Sequence, residues 1–538
     1  MRVTGTGHAS MRIDTPAGSI LCDPWVNPAY FASWFPFPDN SQLDWESLGK
    51  TDYLYVSHLH RDHFDAEHLR RFVDKRATVL LPAYPTSELE DELRELGFTS
   101  FVKTVTNEVV ELDGGLRVMI QALTSPSDGP IGDSSLWVEH GGVRLLNQND
   151  ARPTDLTVFA ELGHVHAHML QFSGAIWYPM VYELPQAAKT AFGKQKRDRQ
   201  FDRTFRYIKD LDASYVFPIA GPPCFLDDEL WQFNDLPGAA GPGGTGRDEG
   251  NIFPDQSVFV AEYAKVGGDN GVVLLPGSVA EITTDGCDVV HPVPDVDEFF
   301  ARKEEHLRAY AERQRPVIEA AKLSWRHPEV DVLKEMKRRI EPLLDESIYL
   351  AKGVGGPVRL DLVEPDDASG GESVESIVID FPGKEVRRYA DEKVRYRFRT
   401  QRALVEHLLH VEEVDWVNSL FLSCRFSAAR IGQYNEFVYA FFKCLSEERL
   451  QYAEGWYDEH ERSTDVEDVT LDGWTVQRRC PHLKADLSRF GVIDGNVLTC
   501  QLHGWKFDMV SGRCLTSVGH EIRARRADEP AATAAHPQ

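Results

Sequence analysis

Apolar positions along this chain follow successive rhythms, and each predicts a different kind of element. In the N-terminal region, short apolar runs stop abruptly at turn residues: Ser19-Ile20-Leu21-Cys22 before Asp23-Pro24, Tyr53-Leu54-Tyr55-Val56-Ser57 before a histidine cluster, and Gly142-Val143-Arg144-Leu145-Leu146 on the way to Asp150. Runs of that length, bounded by turns, read as buried strands. From 296 to 350 the period becomes helical and heavily charged, starting at Asp297-Glu298-Phe299-Phe300 and running through Lys337-Arg338-Arg339-Ile340. That pattern predicts solvated helices joining two halves of the chain. Alternation returns over 357–363 and 376–381, with Asp366 to Gly371 as the turn between, and helical sequence follows over 400–409 and 434–447. The Pro- and Ala-rich end from Arg526 to Gln538 reads as disordered.

At 538 residues the chain is too long for one core. The rhythms divide it into an α/β region (1–295), a helical linker (296–350), an α+β module (351–462), a further domain (463–525) and a tail (526–538). With 42% hydrophobic and 27% charged residues the composition is that of a soluble globular protein. No apolar run approaches the roughly 20 residues that a membrane span needs. Met1 to Ser10 lacks an apolar signal-peptide core, so a cytoplasmic protein without a membrane partner is expected. A net charge of −27 disfavours nucleic acid as a partner, since phosphate contacts need clustered Lys and Arg. One such cluster exists: Lys194, Lys196, Arg197, Arg199 and Arg203, several of which helical spacing would put on one face, either as a solvated surface or as a grip for a substrate phosphate or carboxylate. The Gly-rich stretch Gly238 to Gly246 lacks the flanking strand and helix of a nucleotide loop and reads as a surface loop.

Candidate chemistry sits at both ends. Near the C-terminus the chain reads Cys480-Pro-His482 and then Cys500-Gln-Leu-His503-Gly504-Trp505. Two thiolates on one iron and two imidazoles on the other make a Rieske-type [2Fe–2S] cluster, with neutral His raising its potential relative to an all-Cys site. Zinc accepts Cys2His2 sets as well, but this is not the usual finger spacing. Residues Trp474 to Leu515 resemble a Rieske ferredoxin-type domain, which implies a small all-β domain carrying its ligand loops on hairpin tips. The run His503-Gly504-Trp505-Lys506-Phe507-Asp508 is similar to the oxygenase branch of that superfamily. The respiratory branch carries a disulfide-forming Cys in each loop. Here neither Cys480 nor Cys500 has such a neighbour and Cys514 stands alone, which implies a low-potential cluster in a reducing compartment.

Near the N-terminus, Tyr53 to Ser57 leads into His58-Leu59-His60-Arg61-Asp62-His63, a His-x-His-x-Asp-His motif on the turn leaving a strand. With Ser19 to Trp25 and Gly7-His8-Ala9-Ser10 upstream, this resembles the metallo-β-lactamase superfamily and implies its αββα sandwich. By that resemblance His58 and His60 belong to one metal position, Asp62 and His63 to the other, and Asp150 is the bridging carboxylate. Two departures stand out. The region Leu123 to Asp128 offers no third His, and Ala220 stands in Val216-Phe217-Pro218-Ile219-Ala220 where the family has its final His. A reduced set of His plus carboxylate suits non-haem Fe(II), whose open positions admit O2 and substrate, and this favours one iron over two. Replacement ligands are sought in Gly163-His164-Val165-His166-Ala167-His168. Period two would put all three His on one face of a strand, and a helix would align His164 with His168.

The pairing of these two domains resembles CMP-N-acetylneuraminate monooxygenase, over residues 1 to roughly 290 plus the cluster domain. In that family, however, the Rieske domain is N-terminal. The module between faintly resembles a sterol-carrier-like fold. The expected protein is a Rieske-dependent non-haem iron monooxygenase: Cys480, His482, Cys500 and His503 hold the cluster; His58, His60, Asp62, His63 and Asp150, with His164 and His168, hold the metal; Asp62 and Asp150 are catalytic. Its substrate would be a small polar metabolite, a sugar, nucleotide-sugar or amine, with O2 as co-substrate. No nicotinamide or flavin fingerprint is present, which implies an external ferredoxin and NAD(P)H-dependent reductase. Because the two motifs lie far apart in sequence, either the chain folds back or a homo-oligomer supplies the cluster from a neighbour. The rival reading is a metal-dependent hydrolase whose cluster is structural or redox-sensing.

Overall fold

Period-two alternation in the N-terminal strands sorts their side chains between two cores. Tyr53 and Tyr55 enter one core and Leu54 the other; Ile20 and Cys22 oppose Leu21 in the same way. The computed structural model describes residues 1–124, 132–174, 176–236, 250–364, 373–462, 467–482, 484–502, 504–517 and 520–527. Ser125 to Asp128, Gly238 to Gly246, the turn Asp366 to Gly371, His503 and the tail beyond Ala527 lie outside the described residues.

Eight strands form the first sheet, in the order Cys287–Val290, Val279–Ile282, Arg2–Gly7, Ser10–Thr15, Gly18–Cys22, Tyr53–Tyr55, Thr78–Leu81, Phe101–Lys103. Six form the second, in the order Tyr215–Ile219, Ala167–Gln171, Val143–Asn149, Ser134–His140, Arg117–Ala122, Val109–Glu111. Their facing side chains, among them Ile13, Ile20 and Tyr55 from one sheet and Val118, Leu145 and Met169 from the other, make the central core. Helices Ala66–Phe72 and Glu88–Glu95 cover the outer face of the first sheet, packing on Leu21, Leu54 and Val79. The long helix Gln186–Leu211 covers the second, through Phe201, Tyr207 and Ile208 against Leu146 and Leu170. The result is a four-layered αββα sandwich, the layering that the sequence resemblance implies.

Beyond residue 295, helices Lys303–Ser324 and Val332–Glu346 lead to a five-stranded sheet ordered Glu385–Arg388, Glu375–Asp380, Pro357–Val363, Tyr396–Gln401, Phe426–Arg430. The alternating run Pro357 to Val363 is its central strand. Helix Val332–Glu346, expected in the linker, carries Met336 and Ile340 into the core of this module. That core is continuous with Trp25, Trp34 and Trp177 of the sandwich. Polar ties reinforce the join. Arg449 donates to Glu88 at 2.6 Å, Tyr182 and Tyr439 share a hydroxyl hydrogen bond of 2.5 Å, and Arg425 reaches Asp227 at 2.6 Å.

The last domain consists of two three-stranded sheets: Asp468–Leu471, Trp474–Gln477 and Ala524–Arg526; and Gly491–Asp494, Val497–Cys500 and Trp505–Asp508. Its apolar side chains, including Trp474, Phe490 and Leu502, share one core with Phe201, Tyr207 and Ile208 of the long sandwich helix. Arg489 pairs with Asp155 and donates to Thr157 Oγ1 at 2.8 Å. The chain therefore folds back on itself, so that the C-terminal domain lies against the N-terminal one. Among the described residues, no helix is long and apolar enough to cross a membrane.

Candidate metal centres

Strand Tyr53–Tyr55 ends at the edge of the sandwich, and the turn after it delivers His58, His60, Asp62 and His63 together. Phe64 N donates to His60 O at 2.7 Å, closing that turn, and Asp65 caps the next helix by accepting from His68 N at 3.0 Å. Asp65 also accepts from Asn27 N at 2.7 Å, which fixes the loop after Asp23 over the same edge. Asp150 arrives from the second sheet, just past strand Val143–Asn149.

Three sets of donor atoms converge: His8, Asp62 and His63; His58, His60 and Asp133; His58, His63 and Asp150. Within each set all atoms lie within 4.8 Å of one another. His8 Nε2 is 3.0 Å from Asp62 Oδ2, and His63 Nε2 is 3.6 Å from both Asp62 Oδ2 and Asp150 Oδ2. His58 Nε2 lies 3.5 Å from Asp133 Oδ1. Tyr30 donates its hydroxyl to the other Asp62 oxygen at 2.6 Å. The far ring nitrogens are held from behind: His58 Nδ1 lies 2.8 Å from Ser57 Oγ, and His63 Nδ1 lies 3.3 Å from Asp23 Oδ2. Asp23 is itself fixed by Ser57 N at 2.7 Å and by Asn149. A carboxylate behind a ring nitrogen orients a ligating His and raises its basicity.

The residues fit a bound cation. His58 Nε2, His63 Nε2 and Asp150 Oδ1 are buried and make no hydrogen bond, a costly arrangement unless something else occupies them. Burial pushes His58 down to about 4, with His63 adding repulsion. Burial would lower His63 too, but the carboxylates of Asp62 and Asp150 outweigh it and hold that ring well above its ordinary range. Positive charge is thus favoured where these groups meet.

Of the residues offered by the sequence, His58, His60, Asp62, His63 and Asp150 come together. His164 and His168 do not join them. Leu146 pairs with His168 in the parallel strands, four residues before Asp150 (150 − 146), or about 13 Å of strand. His168 shares the outward-facing side with Leu170 and bonds Gln148 Oε1 at 2.8 Å; His164 bonds Ser214 Oγ at 2.7 Å. His166 Nδ1 accepts from Arg144 N at 3.0 Å. Two residues that the sequence did not assign take part instead. Asp133 opens strand Ser134–His140 beside His58. His8 stands on the turn after the first strand, with φ of 54°, and its carbonyl accepts from Ala220 N at 3.1 Å. The position where a final His is missing thus sits against a histidine from elsewhere in the chain.

At the C-terminal site, Cys480 and Cys500 are fully buried and His482 nearly so. No two cysteines are joined by a disulfide. Burial and the adjacent Cys500 thiol push Cys480 well above its ordinary range, so the paired thiols lack the positive charge that iron would supply. His482 Nδ1 is buried, and the ring stacks on Trp505 with centroids 4.0 Å apart at 11°. Two buried thiols beside a buried imidazole are a donor set that suits the cluster. The other ring nitrogen, Nε2, lies 3.1 Å from Glu436 Oε2, on helix Glu436–Lys443 of the middle module.

One cavity of about 660 Å³ connects the centres: His60, Asp62, Asp133 and Asp150 line it at one side, and Glu436 and His482 at the other. The rest of its wall comes from the long sandwich helix, the sandwich segment from Ile176 to Tyr182, the middle module and the C-terminal domain.

Comparison with known proteins agrees with this architecture. Residues 332–459 match the family described as Rv3818-like, SCP2-like domain, and residues 472–521 match the Rieske [2Fe-2S] domain. Cytidine monophosphate-N-acetylneuraminic acid hydroxylase of Xenopus laevis is 29% identical over 41% of this chain and 38% of its own. The solved structure of CmlA, a diiron beta-hydroxylase from Streptomyces venezuelae, aligns with a TM-score of 0.33 and 18% identity, covering 54% of each chain. A Mycolicibacterium smegmatis protein with the provisional name Rieske 2Fe-2S iron-sulfur protein is 51% identical over 98% of this chain and 100% of its own. The chain belongs to that family of Rieske 2Fe-2S iron-sulfur proteins, and in it an N-terminal αββα sandwich, an SCP2-like module and a C-terminal Rieske domain share one polypeptide.

Proposed function

We propose that this protein is a Rieske-linked iron oxygenase acting on a small molecule held between its two metal centres. One observation carries the reading: the histidine–carboxylate centre and His482 open onto the same cavity within one chain. In this reading Cys480, His482, Cys500 and His503 hold the cluster, and His58, His60, Asp62, His63 and Asp150, joined by His8 and Asp133, hold iron. When bound, the cluster supplies one electron at a time and the iron supplies O2 activation. The chain's own residues do the rest. Asp23 and Ser57 orient the rings of His63 and His58 from behind; Tyr30 holds Asp62 by a hydrogen bond; Glu436 fixes the outer edge of His482 toward the cavity. Burial of the cavity wall keeps water from competing with substrate.

The sequence favours a single iron. Separate donor sets around His58–His60–Asp133 and His8–Asp62–His63, with Asp150 reaching both His58 and His63, support two adjacent positions instead. A paired site of this kind would also suit hydrolysis, but hydrolysis gives the shared cavity with the cluster no role. A ferredoxin and its NAD(P)H-dependent reductase remain the expected electron source.

The test is a single turnover. Protein loaded with iron, its cluster reduced anaerobically, is mixed with O2 while cluster absorbance is followed, and Asp150→Ala is run beside it. The reading requires fast reoxidation that depends on Asp150. Equal rates in both proteins, or substrate cleavage without O2 and reductant, would overturn it.

A further inference from the structure

The cavity carries a charge pattern that neither metal centre uses. Among the described residues, its carboxylates are Asp62, Asp133 and Asp150 in the histidine centre and Glu436 against His482. Its cations are more numerous, and four of them stand together: Arg152, Lys196, Arg199 and Arg203. Three lie on one face of helix Gln186–Leu211, and Arg152 follows strand Val143–Asn149. This in a chain of net charge −27.

None of the four has a carboxylate partner among the described residues. Lys196 Nζ donates to the Tyr178 carbonyl at 3.2 Å, Arg203 Nη1 to the Leu502 carbonyl at 3.3 Å, and Arg152 Nη2 to Gln171 Oε1 at 3.0 Å. Arg152 Nε and Gln200 Oε1 are buried with no hydrogen bond. Burial lowers Lys196 to about 7, and Arg152 and Arg203 repel it further; burial lowers Arg203 to about 9. Four like charges gathered on one half-buried wall, with Asp150 offsetting only Arg203, are unfavourable, so the cavity is built to receive an anion. Aromatic rings line the cavity as well: Tyr182, Tyr434 and Tyr439, with Tyr434 stacked on Tyr439 at 5.4 Å. Its volume is that of a site for a small organic ligand.

We infer that the substrate is an organic anion, its carboxylate or phosphate gripped by Arg152, Lys196, Arg199 and Arg203 beside the cluster and its body laid along the tyrosine wall. The inference takes the cavity as the substrate site, and so rests on the oxygenase reading. It divides the cavity by function. The cationic patch runs from Leu502 and Gly504 of the cluster loop, with Arg199 against Gly504, to Arg203 and Arg152 near Asp150, so the anionic group is held between the two centres and the rest of the ligand lies along the tyrosines.

Equilibrium binding of benzoate, phenyl phosphate and uncharged benzyl alcohol to the intact protein, read by tryptophan fluorescence and by the spectrum of the reduced cluster, tests this. Saturable binding of benzoate or phenyl phosphate but not benzyl alcohol is expected, and the tighter of the two identifies carboxylate or phosphate. Lys196→Gln and Arg199→Gln should each weaken it by roughly tenfold or more, the effect of losing one charge-assisted hydrogen bond. Exposed Lys194, paired with Asp198 at 3.5 Å on the same helix, provides the control, and Lys194→Gln should bind as wild type does. Benzyl alcohol binding as tightly as benzoate, or full affinity in both cavity variants, would overturn the inference. If the variants shift the cluster potential and leave anion affinity unchanged, the patch serves the cluster rather than a ligand, and the inference fails. Because binding is read without turnover, anion binding with no O2-dependent reoxidation would refute the oxygenase reading alone.

Discussion

Glu436 Oε2 lies 3.1 Å from His482 Nε2, and its other oxygen lies 2.7 Å from His520 Nε2. Burial would raise this carboxyl, but His482 and His520 outweigh it and hold it below the ordinary carboxylate range. A carboxylate from the middle module thus sits on the outer edge of a proposed cluster ligand, at the cavity wall. Its negative charge stabilises the oxidised cluster over the reduced one. Glu436→Gln should therefore raise the reduction potential, by on the order of 100 mV for a unit charge about 7 Å away at an effective dielectric of about 20. Redox titration monitored by the reduced-state spectrum measures it, and an unchanged potential would remove Glu436 from any electronic role.

The second prediction concerns a residue that touches no metal in the proposed site. Asp23 holds His63 Nδ1 at 3.3 Å and is fixed by Ser57 N and Asn149. Asp23→Asn keeps the shape and removes the charge behind the ring. Metal affinity at the histidine centre should fall about 10- to 100-fold while the cluster spectrum is retained. Competition with a chelator, read by metal analysis, checks this. Concurrent loss of the cluster would show that the two centres are not separable.

These partners also show which parts of the site can be read along the chain. The motif from His58 to His63 is local, so its spacing is sufficient. Strand alternation at Tyr53–Tyr55 and Pro357–Val363 is equally visible, because period two is imposed by the residues themselves. His8 and Asp133 enter the site only because sheet pairing brings distant turns to one edge, and no spacing encodes that. Its one trace is a lone His between Gly7 and Ala9 just past an apolar strand. His164 and His168 mislead for the converse reason: alternation shows which face a residue takes, not which end of the strand lies near the metal. The fold-back of the C-terminal domain depends on Phe201, Tyr207 and Phe490 sharing a core, an arrangement with no sequence signature.

Arg425 fixes the middle module to the sandwich. Its side chain is 1% exposed and pairs with Asp227 at 2.6 Å and Glu229 at 3.1 Å, and its Nε donates to Phe31 O at 3.0 Å, next to Tyr30. Removing one partner of a buried pair strands the other, at about 3–5 kcal/mol. Lys322, 2.8 Å from Asp227, offsets part of that. Arg425→Met should lower the melting temperature and weaken metal binding at the histidine centre through the Phe31–Tyr30 segment. Differential scanning calorimetry with metal analysis tests both effects, and a melting temperature equal to that of wild type would show that the pair contributes no net stability.

Anion binding should depend on pH through Lys196. Arg152, Arg203, Tyr178 and Cys424 surround its ammonium group, and burial with the two guanidinium charges places its titration near 7. In the unfolded chain the same lysine titrates near 10.4. Between those values the folded protein binds fewer protons, so this group's contribution to stability of the ligand-free protein increases as pH rises through 7. Binding runs the other way. Benzoate is ionised throughout, and Arg203, lowered to about 9, keeps most of its charge up to pH 8, so the lysine dominates the change and affinity should fall by up to roughly tenfold between pH 6 and pH 8. Lys196→Gln should bind more weakly and with a flat profile over the same range. A wild-type profile as flat as that of the variant would show that Lys196 does not hold the anion.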